Sequence, residues 1–135
     1  KGPMVKRETL CKTLGGNKVE MVTITERGGL PKDVSERKGV VICARHHPGE
    51  TNSSFVMKGI IDFLTSEDNV EAVTLRRNFV FKLIPMVNVD GVRQGNYRTS
   101  LSGIDLNRSW RKPNQVVFPE VVAIKQMVDA FREER

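Results

Sequence analysis

Among 135 residues there are two histidines, two cysteines, one tryptophan and one tyrosine, and each shortage excludes something. Cys11 and Cys43 lack the paired spacing of a metal knuckle. Cys43 lies inside an apolar run and is read as a buried free thiol, which points to a reducing compartment. With aromatics at 6%, no series of stacking platforms is available to a nucleic acid, and no nucleic-acid motif accompanies the net charge of +6. No apolar stretch is long enough to span a membrane, and the start does not resemble a signal peptide. Lys1-Gly2-Pro3 lacks an initiator methionine, so the chain is expected to be cut from a longer one. There is no internal repeat, no low-complexity tract and no shift in composition, so residues 1–135 read as a single domain.

Both histidines fall where a short apolar run stops. Val40 to Ala44 is β-branched and too short for a helix, and is expected to be a strand covered on both faces, as inside an α/β sheet. Ligands of such sheets sit beyond the carboxyl ends of the strands. There the chain reads His46-His47-Pro48-Gly49-Glu50. Pro48 and Gly49 bar a regular helix and favour a tight turn, which can bring the His47 imidazole and the Glu50 carboxylate to one point. Imidazole and carboxylate are both zinc ligands. A His-x-x-Glu spacing is too short to be specific alone; its place at a strand end gives it weight. His46 should point to the opposite face of the extended chain and pack or orient.

Residues 4–14 are expected to form a short helix, with Val5, Leu10 and Leu14 inward and Gly15-Gly16 as its stop. Val19 to Thr25 alternates as a strand, and residues 26–38, with Gly28-Gly29 and Pro31, read as an exposed loop. After Glu50, Thr51 to Ser54 offer capping oxygens, and Val56, Met57, Ile60, Ile61 and Leu64 recur at helical spacing. Phe79 to Ile84 is the next strand and completes a βαβ unit, with a turn at Asp90-Gly91. Pro119 opens a closing helix whose inward face is Val121, Ile124, Met127, Val128 and Phe131. Residues 90–112 are polar and carry Arg93, Arg98, Arg108, Arg111 and Lys112 against Asp90 and Asp105. Long loops of this kind are often functional, and guanidinium groups match carboxylates with two parallel hydrogen bonds.

In order, His47-Pro48-Gly49-Glu50, Asn88-Val89-Asp90-Gly91, Asn96-Tyr97-Arg98 and Asp105-Leu106-Asn107-Arg108 resemble the zinc metallocarboxypeptidases, specifically the cytosolic carboxypeptidase branch. The resemblance implies an α/β fold, a mixed and mostly parallel sheet with helices on both faces. It implies one zinc held by two His and one Glu plus water, with His47 and Glu50 as two of the ligands. Asp105 then matches the carboxylate that orients the first zinc histidine. Asn107 and Arg108 match the pair that grips the substrate's C-terminal carboxylate, and Arg98 the arginine that polarises the scissile carbonyl. Tyr97 and Trp110 are left as packing residues. The implied activity is removal of C-terminal residues, glutamates above all, from acidic or polyglutamylated protein tails such as those on tubulin, in the cytoplasm.

Departures from the pattern carry expectations too. Pro48-Gly49 stands where the digestive members have Ala-Arg, so one substrate-contacting arginine is absent. The family's third zinc ligand, a later histidine, and its general base, a later glutamate, have no counterpart here. The chain is therefore expected to be a partial catalytic domain, truncated before the third ligand. Two other readings stand beside this one: a zinc amidohydrolase of the aspartoacylase type, which shares similar motifs, and a non-catalytic module that binds acidic tails through Arg98 and Arg108.

Overall fold

The computed structural model describes residues 2–27 and 34–135. Strands β1 (Met4–Lys12) and β2 (Lys18–Thr25) form an antiparallel hairpin, paired from Met4 with Thr25 to Lys12 with Lys18. The expected helix over residues 4–14 is therefore a strand. Its Lys, Arg, Glu and Leu content suits a helix in isolation, and the ladder with β2 overrides that preference. Leu10 packs on the core, but Val5 and Leu14 are exposed, and the two glycines make the hairpin turn, Gly16 taking a positive φ of 77°.

Strand β3 (Lys38–Cys43) leads into helix α1 (Asn52–Thr65), helix α2 (Val70–Asn78) and strand β4 (Phe79–Ile84). β3 and β4 pair in parallel from Lys38 with Phe79 to Cys43 with Ile84, while β4 pairs antiparallel with β2. The mixed sheet runs β1-β2-β4-β3, and its parallel part is the β3–β4 pair. β3 thus lies at an edge of the described sheet, exposed at its start and half-buried beyond Gly39, rather than covered on both faces. The βαβ unit is present, with α2 as an extra helix the sequence did not signal: it buries only Ala72 and Arg76 and is started by Asn69, whose side chain accepts from the Ala72 N–H.

Alternation along β2 and β4 divides the core between two faces. Val19, Met21 and Ile84 pack with Val121 and Ile124 of the closing helix α4 (Pro119–Glu133). Ile24, Phe81 and Leu83 pack with Met57 and Leu64 of α1 on the other face. Helices therefore cover both sides of the sheet, each fully buried aliphatic side chain contributing about 1.5–3 kcal/mol. Pro119 does open α4, where its missing N–H costs nothing.

Of the loop expected over residues 26–38, Gly28-Gly29 and Pro31 lie outside the described residues. The flanking part is exposed at Arg27, Ser35, Glu36 and Lys38, but Glu26 and Arg37 are buried. Arg76 Nε binds Glu26 Oε2 at 2.9 Å, and Arg37 Nη1 donates to Thr25 Oγ1 at 2.7 Å and to the Glu26 carbonyl at 2.8 Å. Burying the charges is tolerated because they find these partners.

Candidate metal centre

Beyond β3 the chain keeps company with the segment that follows β4. Ala44 N–H donates to Ile84 O and the Ala44 carbonyl accepts from Val87 N–H, both at 3.0 Å, and Asn88 N–H donates to Arg45 O at 3.0 Å. Asn88 is fully buried and uses both ends of its amide: Nδ2 donates to the His46 carbonyl at 3.0 Å, and Oδ1 accepts from Gly91 N–H at 2.9 Å. The second contact caps a short helix, α3 (Val89–Gln94), where the sequence suggested only a turn at Asp90-Gly91. Asp90 is buried and fastens α3 to the β1–β2 turn through Thr13 Oγ1, Gly15 N–H and Asn17 Nδ2. Burial raises its pKa, but these donors together with Arg93 outweigh it and hold the carboxyl below its ordinary value.

Pro48 and Gly49 make the expected turn, closed by Glu50 N–H on His47 O at 3.2 Å. Gly49 N–H donates to Tyr97 O at 2.7 Å, and a side chain at Gly49 would run into the Tyr97 ring. Tyr97 therefore lies over the turn, although most of its surface stays exposed. Arg45 holds the turn from inside. It is the one described non-glycine residue with positive φ, 55°. Its Nε and Nη2 both donate to the Pro48 carbonyl at 3.1 and 2.7 Å, and Nη1 donates to Ser54 Oγ at 2.9 Å. Its own N–H donates to Ser53 Oγ at 3.2 Å. The hydroxyls expected to cap α1 are spent on Arg45, and Thr51 makes no side-chain cap.

This turn brings Glu50 Oε1 to 3.1 Å from His47 Nδ1. Asp105 Oδ1 lies 3.0 Å from Nε2, the other ring nitrogen. His47 is buried and Glu50 exposed, so the ring is fixed while the carboxylate faces outward. Asp105 comes from the start of a 3-10 turn, Leu106–Arg108, whose Asn107 N–H donates to Asp105 Oδ1 at 2.8 Å. Arg98 Nε lies 2.8 Å from Asp105 Oδ2. Burial raises the Asp105 pKa; the hydrogen bonds from His47 and Asn107, with the charge of Arg98, reverse that and keep it below its ordinary value. Five of the six residues singled out from the sequence, His47, Glu50, Asp105, Arg98 and Asn107, thus join one chain of contacts. Arg108 is exposed beside them, its Nη1 reaching the Asn107 carbonyl at 3.3 Å.

The donors suit zinc. Bonds of about 2.0–2.1 Å at tetrahedral angles separate two ligand atoms by about 3.3 Å. Nδ1 and Oε1 stand 3.1 Å apart, and the opposite ring nitrogen rests on a carboxylate, the usual support of a metal-bound imidazole. No group of three or more His, Cys, Asp or Glu able to hold a metal occurs among the described residues. His46 faces elsewhere. Its ring meets Trp110 edge-on, with centroids 5.5 Å apart, and burial followed by the neighbouring His47 pushes its pKa down. Sequence reasoning missed Arg45, and took for packing alone a Trp110 whose Nε1 also donates to Asn107 Oδ1 at 3.2 Å. The one available hint was the arginine's place between the strand and the histidine pair.

The zinc carboxypeptidase family profile matches residues 2–128. Human cytosolic carboxypeptidase 2 is 46% identical over 130 residues, covering 96% of this chain, and human cytosolic carboxypeptidase 4 is 47% identical over 131 residues, covering 91%. The chain spans only 14% and 11% of those relatives' lengths. A putative carboxypeptidase A from Shewanella denitrificans superposes with a TM-score of 0.88 at 30% identity, covering 96% of this chain and 33% of that one. An aspartoacylase family protein from Mesorhizobium loti shares the fold with a TM-score of 0.66 at 16% identity, covering 96% of this chain and 38% of that one. With a profile running through both strands of the βαβ unit and both ends of the His47–Asp105 contact, the chain belongs to the zinc carboxypeptidase family.

Proposed function

We propose that this chain forms part of the catalytic domain of a cytoplasmic metallocarboxypeptidase that trims C-terminal residues, chiefly glutamates, from acidic protein tails. The observation that carries the reading is the pairing of His47 Nδ1 with Glu50 Oε1 at 3.1 Å while Asp105 holds Nε2. His47 and Glu50 would hold the zinc, and further protein ligands would come from outside the described residues. Bound zinc would supply a Lewis acid and a water with its pKa lowered to roughly 7.

Every other task falls to side chains described above. With the metal on Nδ1, Asp105 would accept the N–H of Nε2 and keep the ring turned so that Nδ1 faces the metal beside Glu50. Arg98 sits on Asp105 through Nε, and its two terminal nitrogens have no hydrogen-bond partner among the described residues; they would support the scissile carbonyl oxygen as negative charge develops there. Asn107 and Arg108, both exposed, would grip the terminal carboxylate and so restrict cleavage to the last residue. Arg93, Arg111 and Lys112 are exposed on the same stretch and would draw acidic tails by long-range attraction, which salt screens beyond about 10 Å at 0.1 M. The similarity to cytosolic carboxypeptidases 2 and 4 supports the reaction class and the compartment; the basic stretch supports the acidic substrate.

The test is hydrolysis of C-terminal polyglutamate, polylysine and apolar peptides by the intact zinc-loaded protein across ionic strengths. Glutamate should be released fastest, and its release should slow as salt rises. Replacing Arg98 or Arg108 by Lys should impair turnover at every salt concentration, because an ammonium cannot reproduce the planar fork. Equal cleavage of apolar ends, or no salt effect with polyglutamate, would remove the acidic-tail part and leave a carboxypeptidase of other specificity. No cleavage of any free C-terminus would remove the whole reading.

A further inference from the structure

Trp110 lies three residues beyond Asn107, and its position is fixed from several sides. His46, beside the candidate metal ligand His47 in the chain beyond β3, meets the indole edge-on at 5.5 Å between centroids. Lys125 of α4 donates from Nζ to the Trp110 carbonyl at 2.9 Å. The indole also packs against the core cluster shared by α4 and the sheet. From that seat its Nε1–H donates to Asn107 Oδ1 at 3.2 Å.

An indole N–H can donate but not accept, so it decides which way the Asn107 amide turns. The oxygen must face the ring, and the NH2 group must face away. Asn107 is held a second time by its main-chain N–H on Asp105 Oδ1 at 2.8 Å. Its Nδ2 has no hydrogen-bond partner among the described residues, and the residue is exposed beside Arg108. The result is a side chain that offers only donors outward. A bound carboxylate is an acceptor at every oxygen, so an amide turned by half a rotation would present oxygen to oxygen and repel it.

We propose that Trp110 is a positioning residue for recognition of the substrate's terminal carboxylate, acting through the Asn107 amide. The proposal rests on the reading of Asn107 and Arg108 as the carboxylate grip. It adds that the grip depends on a third side chain that itself touches no substrate. It also gives the seat of the indole a purpose: His46 and Lys125 link the amide's orientation to the strand end and to α4.

The test replaces Trp110 in the intact zinc-loaded protein by β-(3-benzothienyl)alanine, which substitutes sulfur for the N–H and keeps the size and shape of the ring system. Equilibrium binding is measured for L-glutamate and for L-isoglutamine, which differ only in whether the α-carboxyl group is free or amidated. Wild-type protein should prefer glutamate. The variant should bind glutamate about three- to tenfold more weakly, the usual worth of one oriented hydrogen bond, and isoglutamine within about twofold of wild type. Trp110→Phe should behave alike if its melting temperature is preserved. Asn107→Asp, which keeps an oxygen for the indole and removes the donors, should lose more of the glutamate binding than either Trp110 variant.

An unchanged ratio of glutamate to isoglutamine affinity in the benzothienyl variant overturns the proposal, and so does an equal loss for both ligands, which would mark Trp110 as packing alone. Intact glutamate binding by Asn107→Asp overturns it as well, since the amide would then donate nothing. If wild-type protein itself fails to distinguish the two ligands, the carboxylate-grip reading falls first and this proposal with it.

Discussion

Asp105 Oδ1 stands 3.0 Å from His47 Nε2, on the side of the ring away from Glu50, while Oδ2 of the same carboxylate lies 2.8 Å from Arg98 Nε. One side chain thus ties the proposed metal ligand to the proposed oxyanion support. Arg98 rests on the same carboxylate that faces His47, through its other oxygen, so damage at position 105 should reach both functions.

Asp105→Asn keeps the shape and removes the charge. An amide in place of the carboxylate cannot accept from both His47 and Arg98. Zinc affinity or activity should fall about 10- to 100-fold, the usual cost of losing a partner behind a metal ligand. Competition against a chromophoric chelator measures the affinity directly; an unaltered value together with unaltered turnover would reduce Asp105 to a turn residue.

The two adjacent histidines should separate cleanly. His47 Nδ1 faces Glu50, whereas His46 lies against Trp110 with its Nε2 buried and unpartnered among the described residues. His47→Ala should abolish zinc binding at stoichiometric metal, and His46→Ala should leave zinc content unchanged. Metal analysis of both purified variants decides it, and equal loss in the two would refute the assignment of His47.

Most of the residues that the structure groups at the candidate site were legible in the chain because they lie in short motifs. His47 and Glu50 are joined by one turn, and Asp105, Asn107 and Arg108 share another. Strand β4 matched its expected bounds, Phe79–Ile84, because its apolar run, broken only by Lys82, suits the centre of the sheet, with β2 on one side and β3 on the other. Strand β1 was misread because nothing local distinguishes Lys-Arg-Glu-Thr-Leu in a hairpin from the same residues in a helix; the partner strand decides. Helix α2 escaped notice because it has almost no apolar face. Arg45 and Trp110 were out of reach for another reason. A positive φ on an arginine and the orientation of an amide across a turn leave no periodic trace; they exist only once the chain has folded.

Arg45 supplies the third prediction. Its guanidinium closes on the Pro48 carbonyl with two nitrogens and on Ser54 with another, so it braces the turn that sets the His47–Glu50 separation. Arg45→Lys keeps the charge and loses the fork. The loss of these charge-assisted bonds should cost about 1–3 kcal/mol of stability and weaken zinc binding by less than removal of a ligand does. Thermal unfolding of the metal-free and zinc-loaded variant reads both effects; a variant as stable as wild type and with the same zinc affinity would show that the turn holds itself.

The last prediction concerns Glu120, in the first turn of α4. It is 2% exposed, and its Oε2 has no hydrogen-bond partner among the described residues. Burial is the main cause that pushes its pKa up to about 7; its own backbone N–H works against the rise, and the Asp90 carboxylate adds to it. The ordinary value is 4.5, so the proton is held more tightly by the folded chain than by the unfolded one. Below pH 4.5 both states carry it and the group is neutral in its effect on stability. Between 4.5 and 7 the unfolded chain releases the proton and the folded chain does not, so stability falls steadily as pH rises. Above 7 both are ionised and the loss levels off. Asp90 and Asp105 act in the opposite direction, since their lowered pKa values make the fold lose stability on acidification. A single melting curve therefore mixes the contributions, and the informative quantity is a difference. Glu120→Gln cannot ionise, so its stability relative to wild type should climb from pH 4.5 to 7 and stay constant on either side. Denaturant unfolding of both proteins over pH 4 to 8.5 checks this, and a pH-independent difference would mean that Glu120 ionises in the folded state as it does in water.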